Sequence, residues 1–273
     1  MLQTFRMSEA HPMSTLMCPD TVKMVKASED DQRKSKNLPY RSLVGCLQYL
    51  MSGSRPNLVT ALRILSKFLE KFGVEHWQAS KRVLRYLKSP SEMGLYKDLN
   101  EAREYDKFQI EVYADASYAS ETYDLKSVTG FVVFCNGQLI STKSWKQGIL
   151  AERTCEAELI AANEGLHEAV WFEQLVDEIE LPRENTQMFC DSSSAVELMK
   201  HAGKHRRTKQ LRIKDLKIRE YVAEREVSIS SVASRANVAD TMTKPLPAEE
   251  FRRHRDNLGV RAINCGTGAK ESP

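Results

Sequence analysis

The feature that most constrains this chain is a change of hydrophobic period near residue 108. A helix gathers residues three and four apart onto one face, whereas a strand gathers every second residue, so the two patterns cannot share one element. Upstream, Leu43, Val44, Leu47, Leu50 and Met51 recur at helical steps until the Ser52-Gly53-Ser54 break. A second helical stripe opens with Pro56, runs through Leu58, Leu62, Leu65, Phe68 and Phe72, and ends at Gly73. A third, Glu75 to Lys88, turns Trp77, Val83, Leu84 and Leu87 inward and leaves Lys81, Arg82, Arg85 and Lys88 outside. Downstream, Phe108, Ile110 and Val112 alternate with Gln109, Glu111 and Tyr113, a strand that closes at Asp115. The runs Thr129 to Cys135 and Leu139 to Trp145 flank Asn136-Gly137, a strong hairpin signal, so three consecutive strands form a meander.

The rest of the chain alternates. A long amphipathic helix spans Thr154 to Ile179, a strand Thr186 to Cys190, helices Ser193 to Met199 and about Lys209 to Glu224, and a strand Glu226 to Ala233, before a terminal helical segment. A meander followed by alternating helices and strands predicts an α/β fold with a mixed sheet flanked by helices, preceded by a small helical unit. We expect an extended lead-in over 1–37, the helical unit over 38–100, the α/β domain over 108–260 and a flexible tail over 261–273, with the charged stretch Asp98 to Lys107 as the boundary.

Composition enters by exclusion. No apolar run approaches the roughly 18 residues of a membrane span, and Met1 to Met17 lacks the apolar core of a secretion signal. A cytoplasmic or nuclear, non-secreted protein with no membrane partner is expected. The six cysteines contain no Cys-x-x-Cys pair, which argues for reduced thiols over a zinc site or disulfide framework. A net charge of +3 is too small to identify a nucleic-acid partner.

Four acidic residues stand at element ends: Asp115 and Asp191 after strands, Glu158 in the opening turns of the long helix, and Asp240 at the start of the terminal helical segment. If the strands ending at Asp115 and Asp191 are neighbours, both carboxylates emerge at one sheet edge, where open α/β sheets bind ligands. Clustered hard oxygens suit Mg²⁺, and a pair of such ions is a standard means of phosphodiester hydrolysis. Taken singly, each acid is equally a helix cap or turn residue.

The wording around these acids narrows the choice. Val112-Tyr113-Ala114-Asp115-Ala116-Ser117, Glu156-Ala157-Glu158-Leu159, Phe189-Cys190-Asp191-Ser192 and Val238-Ala239-Asp240-Thr241-Met242-Thr243-Lys244-Pro245-Leu246 stand in the order of the ribonuclease H domain of copia-type LTR retrotransposon Pol polyproteins, which the chain resembles. The resemblance continues through Asp124-Leu125-Lys126-Ser127-Val128-Thr129-Gly130, similar to the family's D-x-K-S-x-x-G loop. Upstream, Pro39-Tyr40-Arg41-Ser42-Leu43-Val44-Gly45, Arg55-Pro56-Asn57 and His76-Trp77 resemble the end of that polyprotein's reverse transcriptase, its thumb and connection. About Met1 to Val260 is covered.

The resemblance implies a ribonuclease H-like five-stranded mixed sheet. It implies Asp115, Glu158, Asp191 and Asp240 as catalytic, metal-binding carboxylates, and Mg²⁺ as cofactor, two ions, with Mn²⁺ as the alternative. The implied activity is endonucleolytic cleavage of the RNA strand of RNA/DNA hybrids, with a separate reverse transcriptase or the rest of Pol as a further partner. No Tyr-x-Asp-Asp polymerase motif occurs, and the chain begins beyond the family's palm, so DNA synthesis is not expected. The family's serine before the catalytic helix is Arg153 here, which leaves Thr154 as the expected cap.

The basic run Lys204, Arg206, Arg207, Lys209 and Arg212, continuing to Arg219, reads as a phosphate-binding face beside a phosphodiesterase site, or as a solvated helix face. The stripe Lys81, Arg82, Arg85 and Lys88 carries the same two readings. His205 reads as a phosphate contact or an idle surface residue, and Trp145 as packing. Two other functions stay open: a nucleic-acid binder that keeps the fold without turnover, and a protein-interaction module built on exposed apolar helices of residues 40–88.

Overall fold

The computed structural model describes residues 1–89, 92–97, 106–200, 213–224 and 227–262. Ser28 accepts the backbone N–H of Asp31 and opens α1 (Glu29–Ser35), whose acidic first turn suits the positive end of a helix. Next come α2 (Tyr40–Gly53), α3 (Val59–Ser66) and α4 (Val74–Lys88). Pro56 begins a 3-10 turn rather than the helix itself, and α3 stops at Ser66, short of Gly73. There the backbone tightens: Phe68 N–H bonds Leu65 O and Leu69 N–H bonds Ser66 O, three residues back, which unwinds the expected longer helix.

The segment 1–37 differs from the extended lead-in that periodicity suggests. It holds a 3-10 turn at Pro19–Lys23 as well as α1, and it buries Phe5, Met7, Leu16, Met17 and Met24 in one cluster with Leu43, Leu47, Leu65 and Leu84. These residues are laid down by irregular backbone, so no period marks them. The outer face of α4 holds the segment in place. Arg85 Nε donates to His11 O at 2.7 Å, Arg82 donates to Thr15 Oγ1 at 2.8 Å, and Lys88 Nζ donates to Ser8 O. Lys81 sits over the Trp77 ring. Arg82, Arg85 and Lys88 of the α4 basic stripe therefore tie down the N-terminal segment and are more than a solvated face. Most apolar side chains of α2, α3 and α4 are buried in this cluster, while Tyr49 and Val74 stay exposed.

Beyond α4 lie β1 (Met93–Leu95), β2 (Ile110–Ser117), β3 (Val128–Cys135), β4 (Gln138–Lys146) and the long α5 (Thr154–Glu178). Then come β5 (Gln187–Cys190), α6 (Ser193–Lys200), α7 (Ile213–Glu224), β6 (Ser228–Ser231), α8 (Asp240–Thr243), α9 (Ala248–Asn257) and β7 (Val260–Ala262). Asn136 and Gly137 both adopt positive φ, 49° and 67°, as a tight β3–β4 hairpin requires. The sheet order is β4-β3-β2-β5-β6, with β4, β3 and β2 antiparallel and β2, β5 and β6 parallel. This is the ribonuclease H-like five-stranded mixed sheet that the resemblance implies.

One sheet face packs Ile110, Val112, Phe131 and Val133 against Leu159, Ala162 and Leu166 of α5. Gly165 permits the close approach, since a Cβ there would lie 2.8 Å from Val112 Cγ1. The opposite face joins Val132, Phe134 and Leu139 to Val238, Met242 and Leu258. β7 pairs antiparallel with β1, Leu95 opposite Val260, so Arg261 and Ala262 of the expected tail are strand. The remainder of the tail, and the beginning of the helix expected from Lys209, lie outside the described residues. Among the described residues, no helix is long and apolar enough to cross a membrane.

Candidate active site

Register brings the strand-end acids together. Ala114 pairs with Cys190 across the parallel β2–β5 ladder, which sets Asp115 and Asp191 side by side where that pairing ends, although β2 runs on to Ser117 against β3 rather than closing at Asp115. Glu158 comes from the second turn of α5. That turn is anchored by Gln147 Nε2, which donates to Ala157 O at 3.0 Å and to Thr129 Oγ1 at 2.8 Å. The helix is not capped by Thr154, its first residue. Arg153 takes the cap position without a side-chain capping bond, and Glu156 Oε2 instead accepts the backbone N–H of Glu152 at 2.7 Å.

Asp240 arrives on α8, a single turn whose carbonyls are too few for self-satisfaction. Side chains from elsewhere complete it. Thr60 donates to Thr241 O at 2.5 Å, Ser144 Oγ to Met242 O, and Arg63 to Thr243 O at 3.2 Å. Asn237 Nδ2 ties the preceding loop to Ala114 O at 2.9 Å, one residue before Asp115. Gly130, opposite Asp115 on β3, makes room for α8, since a Cβ there would stand 2.5 Å from Met242 Cβ.

The D-x-K-S-x-x-G loop braces the surroundings. Asp124 pairs with Lys146 at 2.8 Å, Lys126 Nζ donates to Gly148 O at 2.7 Å, and Ser127 Oγ accepts the N–H of Ala119 at 3.1 Å. Nearby, Glu121 is buried between Arg63 at 2.7 Å and Lys67 at 2.5 Å, a charged joint between α3 and the sheet.

The resulting cluster is crowded. Asp115, Glu158 and Asp240 are buried and Asp191 is half-buried; ligand oxygens of Asp115, Asp191 and Asp240 all lie within 4.8 Å of one another. Like charges about 4 Å apart repel by roughly 4 kcal/mol at an effective dielectric near 20. Protonation is favoured accordingly. Burial first, then the charges of Asp115 and Asp191, push the Glu158 carboxyl up to about 9. Burial and Asp115 push Asp240 up to about 7. Burial also raises Asp115, opposed by Lys244 and by the Thr243 hydroxyl that donates to Asp115 Oδ2. Lys244 Nζ stands 2.9 Å from Asp240 Oδ1, and the surrounding carboxylates raise its pKa against the effect of burial.

The donor set fits a divalent metal. It is composed of hard oxygens, and one of them, Glu158 Oε2, is buried without a hydrogen-bond partner while Ala116 N–H donates to the same carboxylate. Cys190 adjoins Glu158 and Asp191, but burial holds its thiol up at about 12, so it offers a protonated, soft sulfur rather than a ligand for such an ion.

The four sequence-identified carboxylates are thus brought to one place. Lys204, His205, Arg206, Arg207, Lys209 and Arg212 lie outside the described residues. Trp145 packs edge-on against Phe131, with Lys143 Nζ over its ring at 5.0 Å. Sequence reasoning passed over Thr243 and Lys244, although both stand in the same string as Asp240. It missed Thr60, Arg63 and Ser144 because their partners lie far away in the chain.

No protein-family model matches the chain. It is 33% identical over 271 residues to the retrovirus-related Pol polyprotein from transposon TNT 1-94 of Nicotiana tabacum, covering 96% of this chain and 19% of that protein. It is 39% identical over 136 residues to secreted RxLR effector protein 161 of Plasmopara viticola, covering 50% of this chain and 92% of that protein. Among solved structures, ribonuclease H1 from Halobacterium salinarum NRC-1 aligns at 19% identity and TM-score 0.39, over 50% of this chain and 94% of that one. The chain spans about a fifth of the length of the tobacco relative. The similarity to that relative runs nearly end to end through this chain, helical unit and sheet alike, and the chain belongs to the retrovirus-related Pol polyproteins of copia-type transposons.

Proposed function

We propose that the carboxylate cluster hydrolyses the RNA strand of RNA/DNA hybrids with Mg²⁺, or Mn²⁺ in its place. The observation that carries this reading is the approach of Asp115, Asp191 and Asp240 to one another, with Glu158 beside Asp191 and one Glu158 oxygen buried without a hydrogen-bond partner. Membership in the Pol family supports it. Asp115 and Asp191, side by side on adjacent strands, serve as central ligands, and Glu158 and Asp240 complete the set. Two ions bound there would activate the attacking water and carry the charge of the leaving oxygen. The protein's own part is positional: Thr243 fixes one oxygen of Asp115, and the packed surroundings hold the carboxylates close.

Lys204, Arg206, Arg207, Lys209 and Arg212 are proposed to grip the phosphate backbone, so replacing Arg206, Arg207 and Lys209 by Ala would weaken hybrid binding and lower its salt dependence by roughly one counterion per lost contact. The proposed partners are the hybrid itself and a separate reverse transcriptase or the rest of Pol, in the cytoplasm or nucleus. The test is a cleavage assay on labelled duplexes with Mg²⁺ or with EDTA. The RNA of a hybrid should be cut only with Mg²⁺, while double-stranded DNA and double-stranded RNA stay largely intact, because the site needs a 2′-hydroxyl strand in a hybrid-shaped groove. Hybrid binding without cleavage would favour a binder that has kept the fold and lost turnover.

A further inference from the structure

Lys244 holds a position within the carboxylate cluster that no step of the proposed hydrolysis uses. It follows α8 directly, and its N–H bonds Asp240 O at 3.2 Å. Pro245 after it favours the extended backbone it adopts, φ −142° and ψ 152°. Its ammonium lies 2.9 Å from Asp240 Oδ1, and the residue borders a small pocket also lined by Thr60, Ala61, Leu246 and Phe251. The side chain is 42% exposed, whereas Asp240 is 4% exposed. The lysine side chain is thus partly open to solvent and its partner is not.

Two demands meet at Asp240. Without metal, the acids repel one another, and a positive charge among them relieves the repulsion. With a dication on Asp240, an ammonium 2.9 Å from the same carboxylate would be repelled instead. Lysine suits a contact that must be made and released, since it is a compact point charge on a flexible stem without the fixed fork of arginine. An ordinary surface pair four residues apart would do neither, but this pair has one partner buried in the cluster.

We infer that Lys244 is the resident counter-cation of the site, holding Asp240 in place when metal is absent and competing with the divalent ion for it. The inference rests on the metal-dependent reading of the cluster given above. Competition of this kind is reciprocal, so removing the ammonium should tighten metal binding by the factor that metal weakens the pair.

The test is a calorimetric titration of Mg²⁺, repeated with Ca²⁺, into the full chain without nucleic acid, paired with melting curves. Lys244→Met should bind Mg²⁺ about tenfold more tightly than the parent, within the range usual for coupled sites. It should melt lower without metal and gain more from Mg²⁺. Lys244→Arg keeps the charge and should return both readings toward the parent, and Asp115→Asn should bind the ion more weakly. If the parent binds metal and Lys244→Met binds it equally or less tightly, the counter-cation role is wrong and the metal site stands. If neither the parent nor Lys244→Met binds metal, the reading of the cluster fails, and the inference fails with it.

Discussion

The hydroxyl of Thr60 in α3 donates to the carbonyl of Thr241 in α8 at 2.5 Å, across 181 residues of sequence. One turn along α3, Arg63 donates to Thr243 O, and Thr243 donates its own hydroxyl to Asp115. The helical unit therefore reaches Asp115 through two hydrogen bonds and supports the turn that carries Asp240. The unit is part of the site's scaffold, whatever else its surface does.

Thr60→Val keeps the shape and leaves the buried Thr241 carbonyl without this donor. Such a loss costs about 1–3 kcal/mol, which denaturant unfolding would register. Hydrolysis and Mg²⁺ affinity should fall further than the unfolded fraction explains, because α8 is no longer held from above. Full activity in a destabilised Thr60→Val protein would separate the helical unit from the site.

Gly130→Ala tests the same turn from below. The added methyl would meet Met242 and Thr243 side chains at 2.5 and 2.7 Å, so α8 must shift. Overpacking of this kind costs roughly 1–3 kcal/mol. The expected result is a lower melting temperature together with reduced turnover at temperatures where the protein is fully folded. A Gly130→Ala protein as stable and as active as the parent would show that α8 tolerates displacement.

The sequence made the local parts of this architecture legible. Alternation marked β2, the two runs flanking Asn136-Gly137 marked β3, β4 and their hairpin, and a helical period marked α2, α4 and α5, because each signal is complete within a few residues. The acids were legible because they stand at element ends in recognisable strings. What could not be read depends on distant pairing. β1 and β7 are three residues each and exist through one another, Leu95 opposite Val260. Phe5, Leu16 and Met24 are buried by irregular backbone, with no period to betray it. Lys244 stands in the same string as Asp240, but its ion pair with that buried carboxylate depends on how the turn is packed.

The stability of the metal-free protein should depend on pH in a definite direction. Glu158 rises from an ordinary 4.5 to about 9, and Asp240 from 3.8 to about 7, both chiefly through burial. Raised acids favour the folded state while protonated, so their contribution is fully present below the unfolded values near 4. It is lost as pH climbs through about 7 and then about 9. In EDTA the melting temperature should therefore decline across that window, and Asp240→Asn should flatten its lower half. Mg²⁺ should lessen the decline by binding the ionised native site. A melting temperature independent of pH in EDTA would mean the carboxylates are not forced together.

The most direct test of the central claim, that these acids form a metal-dependent hydrolytic site, is a paired measurement on the parent and Asp115→Asn: hybrid cleavage and thermal melting, each with Mg²⁺ and with EDTA. The substitution preserves shape while removing one charge and one of the two ligand oxygens. The account predicts that cleavage is lost, that the metal-free variant melts at the same temperature as the parent or higher because repulsion is relieved, and that Mg²⁺ raises its melting temperature less than the parent's. An Asp115→Asn protein that melts lower without metal yet still cleaves in proportion to its folded fraction would contradict the account and return Asp115 to a purely structural role.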